Sequence, residues 1–280
     1  MPVVSCFSIP FAVRSGGHTT HAGSASISGG LLIALGRLTE LSFSADGSIA
    51  YVGPGNRWGQ VYGFLKPYGK LVVGGRMYPI GVGGLITGGG NSYLSDHHGL
   101  PCDNVDSFEV VLASGRIVTA SPLQNPDLFR ALKGGGGNFG IVTRFALFTV
   151  PSRGVWGGEA IYTPDKLPAL IRELVAYQTG GQAADLDASM VQDVNFAGNW
   201  SSMLFHAQPL ADYPPSLAPW KELAPSVDST RQRPSLFDLI LSTADLGLPK
   251  RFGPSPHFRR PCPCPSVDSL WGLPFYRSDI

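Results

Sequence analysis

The chain has 280 residues, enough to bury one large core or two modest ones. With 43% apolar and 15% charged residues it is too apolar for a disordered chain, and a formal net charge of +1 with no Lys/Arg cluster excludes the electrostatic footprint of nucleic-acid binding. Its longest wholly apolar stretches, such as Leu31 to Leu35, fall far short of the roughly 20 residues of a membrane helix, so neither nucleic acid nor membrane is an expected partner. Cys6, Cys102, Cys262 and Cys264 are too few and too unevenly spaced for a disulfide framework or a zinc site, and no metal is expected. Met1 to Phe11 has neither a basic nor a long apolar region of a secretory leader, which leaves the compartment open.

In chain order, Trp58 to Lys66 has helical apolar spacing, and Phe108 to Ala113, Ser114-Gly115 and Arg116 to Ala120 read as a hairpin with a two-residue turn. Asn125-Pro126-Asp127 supplies an N-cap, a first-position proline and a first-turn acid for a helix over Leu128 to Leu132, with Gly134 to close it. A long strand follows over Ile141 to Val150, and Pro151-Ser152-Arg153-Gly154 places a domain boundary near residue 152. Beyond it come a strand over Trp156 to Tyr162 and a helix capped by Thr163-Pro164-Asp165, with Leu167, Leu170, Ile171 and Leu174 on one face. Ser189 to Phe196 and Trp200 to Ala207 alternate across the turn Ala197-Gly198-Asn199, an antiparallel sheet backed by helices. From Gly253 onward Pro254, Pro256, Pro261, Pro263 and Pro265 interrupt every periodicity, so residues 253–280 are expected to be a disordered tail.

Glycine is the outlier, with 36 of 280 residues against roughly 7% in ordinary proteins. The glycines gather at Gly16-Gly17, Gly29-Gly30, Gly74 to Gly90 and Gly134 to Gly140, all in the first half. Such runs let a backbone turn sharply and aim several N–H groups at one anion, which suits a dinucleotide pyrophosphate. Gly135, Gly137 and Gly140 formally match the nicotinamide-binding G-x-G-x-x-G, but that fingerprint needs strand, turn, then helix, and here a capped helix precedes and a strand follows. That reading is rejected, and no G-x-x-x-x-G-K-[ST] phosphate loop occurs.

The run Phe11-Ala12-Val13-Arg14-Ser15-Gly16-Gly17-His18 resembles the flavin-attachment segment of the berberine-bridge-enzyme-like FAD-linked oxidases of the vanillyl-alcohol-oxidase superfamily. Gly53-Pro54-Gly55-Asn56-Arg57-Trp58, Val73-Gly74-Gly75-Arg76, Gly81-Val82-Gly83-Gly84-Leu85 with Gly88-Gly89-Gly90, Cys102-Asp103-Asn104-Val105 and Gly137-Asn138-Phe139-Gly140-Ile141-Val142 resemble the fungal branch of that family in the same order. The resemblance implies an α+β fold: a PCMH-type FAD-binding domain over residues 1–152, then part of an antiparallel-sheet-plus-helices substrate domain over 153–252. It also implies a flavin joined through its 8α-methyl carbon to His18. Ser15, Gly16, Gly17 and Thr19 would offer backbone or hydroxyl groups to the pyrophosphate, with Gly81, Val82, Gly83, Gly84, Gly88, Gly89 and Gly90 closing around it, and Arg14 belongs to the same cofactor-binding set. Val105, Gly140, Ile141 and Val142 would lie toward the adenine.

Where many relatives carry a second, cysteinyl flavin bond this chain has Met77, whose thioether cannot form one, so a single histidyl linkage is expected. Cys102 is read as a small buried hydrophobe, and His21, His97 and His98 as packing or solvated residues. The implied reaction is two-electron oxidation of a small organic substrate, such as a sugar, an alcohol or a secondary metabolite, with molecular oxygen as acceptor. Glu159, Asp193 and Tyr162 match no family motif, and no catalytic base is assigned. Against the family pattern the chain reads as truncated at both ends, so an inactive remnant stands as the alternative to a working oxidase.

Overall fold

The computed structural model describes residues 9–19, 21, 23–194, 199–242 and 244. The expected tail over 253–280 lies outside them, as does most of the 197–199 turn. The chain opens with two short strands, β1 (Phe11–Arg14) and β2 (Leu31–Ala34), paired in parallel. A parallel pair cannot be joined by a tight turn, so residues 15–30 make a long crossover that carries His18 out of the ribbon.

The next segment folds as β3 (Leu41–Phe43), β4 (Ile49–Val52), α1 (Trp58–Leu65), β5 (Lys70–Val72), α2 (Val82–Thr87), α3 (Ser95–His98), β6 (Val105–Val111), β7 (Ile117–Ala120), α4 (Pro126–Leu132) and β8 (Ile141–Pro151). Its strands form one antiparallel sheet in the order β3-β4-β8-β6-β7, with β5 pairing the far end of β8 through Lys70 opposite Pro151. Helix α1 buries Trp58, Val61, Tyr62 and Leu65, the i, i+3, i+4, i+7 face that its spacing predicts. Its first amides are not capped by a side chain. The N–H groups of Trp58 and Gly59 instead reach the carbonyls of Ile80 (2.9 Å) and Tyr78 (3.1 Å), which ties the helix start to the next glycine loop.

The hairpin β6–β7 turns at Ser114-Gly115 as expected, with Gly115 at φ 84°. Helix α4 corrects one detail. Asn125 precedes it, but its side chain does not cap: the residue lies in the left-handed region at φ 52°, and its Nδ2 donates back to the Thr119 carbonyl at 2.7 Å. Asparagine tolerates that conformation better than other L-residues, so the turn and not the helix claims the side chain.

The second sheet comprises β9 (Val155–Tyr162), β10 (Ala188–Val194), β11 (Trp200–His206), β12 (Val227–Asp228) and β13 (Arg231–Arg233), ordered β10-β11-β9-β12 with β13 also on β9. Helices accompany it: α5 (Leu167–Ala176), extended by a π-helical turn over Tyr177–Gly181 and a last α-turn over Gln182–Ala184, α6 (Ala218–Glu222) and α7 (Leu236–Leu241). The face expected on α5 is only half used. Leu170 is buried and Leu174 half-buried, whereas Leu167 and Ile171 are exposed together with Val175.

Alternation along β11 sends Leu204 into a small cluster with Trp156, Tyr162, Leu170, Tyr177 and Trp220, and Phe205 to the opposite face. There Phe205 joins a large core that runs without a break from Trp58, Leu65 and Phe145 to Val155, Leu236, Leu239 and Ile240. The described residues up to 244 are therefore held by a core that crosses residue 152. None of their helices is long and apolar enough to span a membrane.

Candidate functional site

A cleft of about 790 Å³ opens where three glycine loops converge. Its walls come from β1 and the crossover after it, from residues 80–87, and from 136–142, with Pro54 and Phe145 beneath. Among the described lining residues there is no Asp, Glu, Lys or Arg, and His18 is the one histidine in the wall.

Glycine is required where the loops meet. A Cβ on Gly16 would stand 2.4 Å from the Gly81 Cα, and one on Gly81 would meet the Gly16 Cα at 2.4 Å, so the two backbones touch with no room for any side chain. Ser15 locks the junction: its hydroxyl donates to the Pro54 carbonyl at 2.6 Å and accepts the Gly83 N–H at 3.2 Å. Gly17 adopts φ 67°, a left-handed turn that swings the chain toward His18. On the opposite wall the N–H groups of Gly134 and Gly136 both donate to the Thr87 carbonyl, at 3.0 and 2.8 Å, which pins the third loop to the end of α2. The Asn138 side chain closes that loop through Gly135 O at 2.7 Å.

Of the residues expected at the site, Ser15, Gly16, Gly17, His18, Thr19, Gly81, Gly83, Gly84, Gly140, Ile141 and Val142 line this cleft. Arg14, Val82, Gly88, Gly89, Gly90 and Val105 do not. Arg14 is exposed, its aliphatic stem lying under Gly17. Val82 and Val105 are buried in the core. Gly89 accepts the Cys102 N–H at 3.0 Å and Gly90 presses against Pro101, so these glycines build the joint behind α2. Sequence reasoning did not single out Pro54, Leu85, Asn138 or Phe145 as lining residues; the first three stand inside the quoted motifs, and Phe145 lies on β8, whose buried residues do not alternate.

Met77 is half-buried in the loop before Gly81 and does not line the cleft. Cys102 is buried, 3% exposed, and burial first, then Asp103, pushes its thiol pKa up, as suits an inert packing residue. His97 stacks on His98 with ring centroids 4.6 Å apart and pairs with Asp187 at 3.1 Å, away from the cleft. The Gly135–Gly140 run sits between α4 and β8, in the order opposite to that of a nicotinamide fingerprint.

The lining fits a flavin dinucleotide. Among the described residues, the N–H groups of Gly16, Gly17 and Gly137 make no hydrogen bond within the chain. A Cβ on Gly84 or Gly137 would meet nothing within 4 Å, so these wall positions leave open space for a ligand to approach the backbone. The volume lies in the upper part of the roughly 300–1,000 Å³ range of small-molecule sites.

Comparison with known proteins agrees with this architecture. Residues 3–121 match the family described as FAD binding domain. An FAD-dependent monooxygenase of Arthrobotrys oligospora is 46% identical over 204 residues, which is 72% of this chain and 40% of that protein. The fold is similar to that of 6-hydroxy-D-nicotine oxidase from Arthrobacter nicotinovorans, with a TM-score of 0.78 and 25% identity over 88% of this chain and 55% of the other. It is also similar to a carbohydrate oxidase from Microdochium nivale, with a TM-score of 0.71 and 28% identity over 86% and 53% of the two chains. This chain thus spans about half the length of the proteins it matches, or less. Glycine loops, sheet order and these likenesses agree: residues 3–121 carry an FAD binding domain, and the chain is similar to FAD-linked oxidoreductases over the part of them that it spans.

Proposed function

We propose that the protein holds FAD covalently through His18 and oxidises a small organic substrate by two electrons, with molecular oxygen as acceptor. The observation that carries this reading is the place of His18, on the crossover that leaves β1 and in the wall of a cleft whose other described lining residues are glycines, apolar side chains and uncharged polar ones. Bound flavin supplies the hydride-accepting chemistry. The chain's own part would be to hold it: the N–H groups of Gly16, Gly17 and Gly137, uncommitted among the described residues, would bind the pyrophosphate, and Ile141 and Val142 would flank the adenine. Ser15 keeps the first two loops in register through Pro54 and Gly83. Residues 1–152 form the flavin domain in this reading and 153–252 contribute to the substrate domain, with sugars, alcohols and secondary metabolites as the substrate classes. Met77 in the loop ahead of Gly81 supports a single linkage.

Purified protein is expected to be yellow, to keep its colour in the pellet after acid precipitation, and to release or lack it in His18→Ala. Flavin that washes out of the acid-treated wild type would overturn the covalent linkage, and a protein that binds NAD but no flavin would overturn the whole reading. The relative in Arthrobotrys oligospora is named a monooxygenase, whereas the two solved structures are named oxidases. Oxygen isotope labelling of the product separates these: label in the organic product marks insertion, and label in hydrogen peroxide alone marks an oxidase.

A further inference from the structure

A second cavity, of about 150 Å³, lies between the 91–96 segment and the helical run 174–182, and it shares no lining residue with the cleft. Most of its polar wall is already committed. Ser189 Oγ donates to the Tyr93 carbonyl at 3.0 Å, the Tyr177 hydroxyl to Ala188 O at 3.0 Å, and Ser95 Oγ accepts the Ser92 N–H at 3.0 Å. Among the described residues the side chains of Asn91 and Gln178, both exposed, also make no hydrogen bond, and Arg76 is the one cation without a partner in this wall. It is half-buried, and among the described residues its guanidinium makes neither an ion pair nor a hydrogen bond. Asp96 lines the same space and is held from one side, by Gln182 Nε2 on its Oδ1 at 2.8 Å, yet no ion pair joins it to Arg76.

A cation and an anion that border one small cavity without meeting leave each with unused hydrogen-bonding capacity, and a partly desolvated guanidinium without a partner is costly. The planar fork of an arginine matches a carboxylate. At roughly 30 Å³ per water the cavity holds about five waters or one organic molecule of about five heavy atoms. Asp96 disfavours a ligand that is only anionic, since it would place like charges in the same space. We infer that this cavity binds a small carboxylate carrying a hydroxyl or ammonium group: the carboxylate on Arg76, and the donor on Asp96. The inference stands on this cavity alone and does not depend on flavin binding.

Calorimetric titration of the full chain with glycolate, glycine, glycolamide and inorganic phosphate tests it. Single-site binding of glycolate or glycine is expected, with the stronger of the two identifying the donor as hydroxyl or ammonium. Glycolamide, which lacks the charge, should not bind. Arg76→Gln should weaken the bound ligand roughly ten- to a hundredfold, the loss of a charge-assisted pair, and Asp96→Asn should weaken it less. If Arg76→Gln does not fold, the comparison of glycolate with glycolamide on the wild type decides alone. Absence of saturable binding by both glycolate and glycine, equal binding of glycolamide, or tighter binding of phosphate than of either would overturn the inference.

Discussion

At the scale of single residues, the glycines of the cleft divide into those that hold the loops together and those that leave room. Gly16 belongs to the first group, because any side chain there collides with the Gly81 backbone and neither partner is a flexible side-chain end. Gly16→Ala should cost about 1–3 kcal/mol, the range for overpacking a tight site, read as a lowered melting temperature. Gly84 belongs to the second. It lies inside α2 with open space around its missing Cβ, so Gly84→Ala should leave stability within about 0.5 kcal/mol or raise it by up to about 1 kcal/mol through helix propensity. The same substitution places a methyl group in the cleft wall, so its effect should appear as weaker flavin retention in a protein that melts normally. Equal destabilisation by both changes would show that the cleft is not divided in this way.

At the scale of elements, helix α7 shows how a short segment is held. Ser235 caps it, its hydroxyl accepting the Asp238 N–H at 3.3 Å and donating to the Asp238 carboxylate at 2.6 Å, while Lys66 at the end of α1 pairs with that carboxylate at 2.7 Å. Burial raises the Asp238 pKa, but the hydrogen bonds from Lys66 and Ser235 outweigh it and the net direction is down. A carboxyl whose folded pKa is depressed adds stability above its unfolded value, about 4, and loses it as pH falls through the lower folded value. Ser235→Ala should therefore cost about 1 kcal/mol at neutral pH. The melting-temperature gap between wild type and Asp238→Asn should begin to narrow as pH falls below about 4 and close below the lower folded value; a gap that does not shrink as the pH falls would exclude this linkage. The Lys66 pair was not legible from sequence, because Lys66 and Asp238 are far apart in the chain, whereas the Ser235-x-x-Asp238 cap is a local pattern that the sequence reading did not pick out. What was legible depends on local repetition. The spacing of Trp58, Val61, Tyr62 and Leu65 marks a buried helix face, and the order of α4, glycines and β8 is visible from capping residues and alternation. The α5 face was only partly readable: its stripe contains both Leu170, which is buried in the small cluster, and Ile171, which is exposed, and periodicity does not distinguish them. At the cleft, the motifs named the loops but not their facing. Gly81 and Gly88 stand in one glycine-rich run, yet α2 turns one toward the cleft and carries the other away.

At the scale of the whole molecule, composition shifts near residue 152 and two sheets suggest two halves, while the packing joins them. Val155, Phe205, Leu236, Leu239 and Ile240 from beyond that point are buried in the same core as Trp58, Leu65 and Phe145. Helix α1 meets α7 through more than the Lys66 pair: Gly63 admits the Phe237 ring, whose edge would stand 3.1 Å from an added Cβ, and Tyr78 lies beside it with centroids 6.3 Å apart. Burying each large aliphatic or aromatic side chain of that set contributes about 1.5–3 kcal/mol, so the shared surface is comparable with the whole net stability of a domain. The halves should then unfold together. Thermal melts of the full chain followed by far-UV circular dichroism and by tryptophan fluorescence are expected to coincide, since Trp58 reports on the first sheet and Trp156 and Trp220 on the second. A chain ending at residue 152 should show no cooperative melt, because it leaves the α1 face without Leu236, Phe237 and Ile240 and exposes the part of the core that Phe205 covers. Two separated transitions, or a stable 1–152 fragment, would instead make residues 1–152 autonomous, and the shared core would then be a docking surface between two independently folded parts.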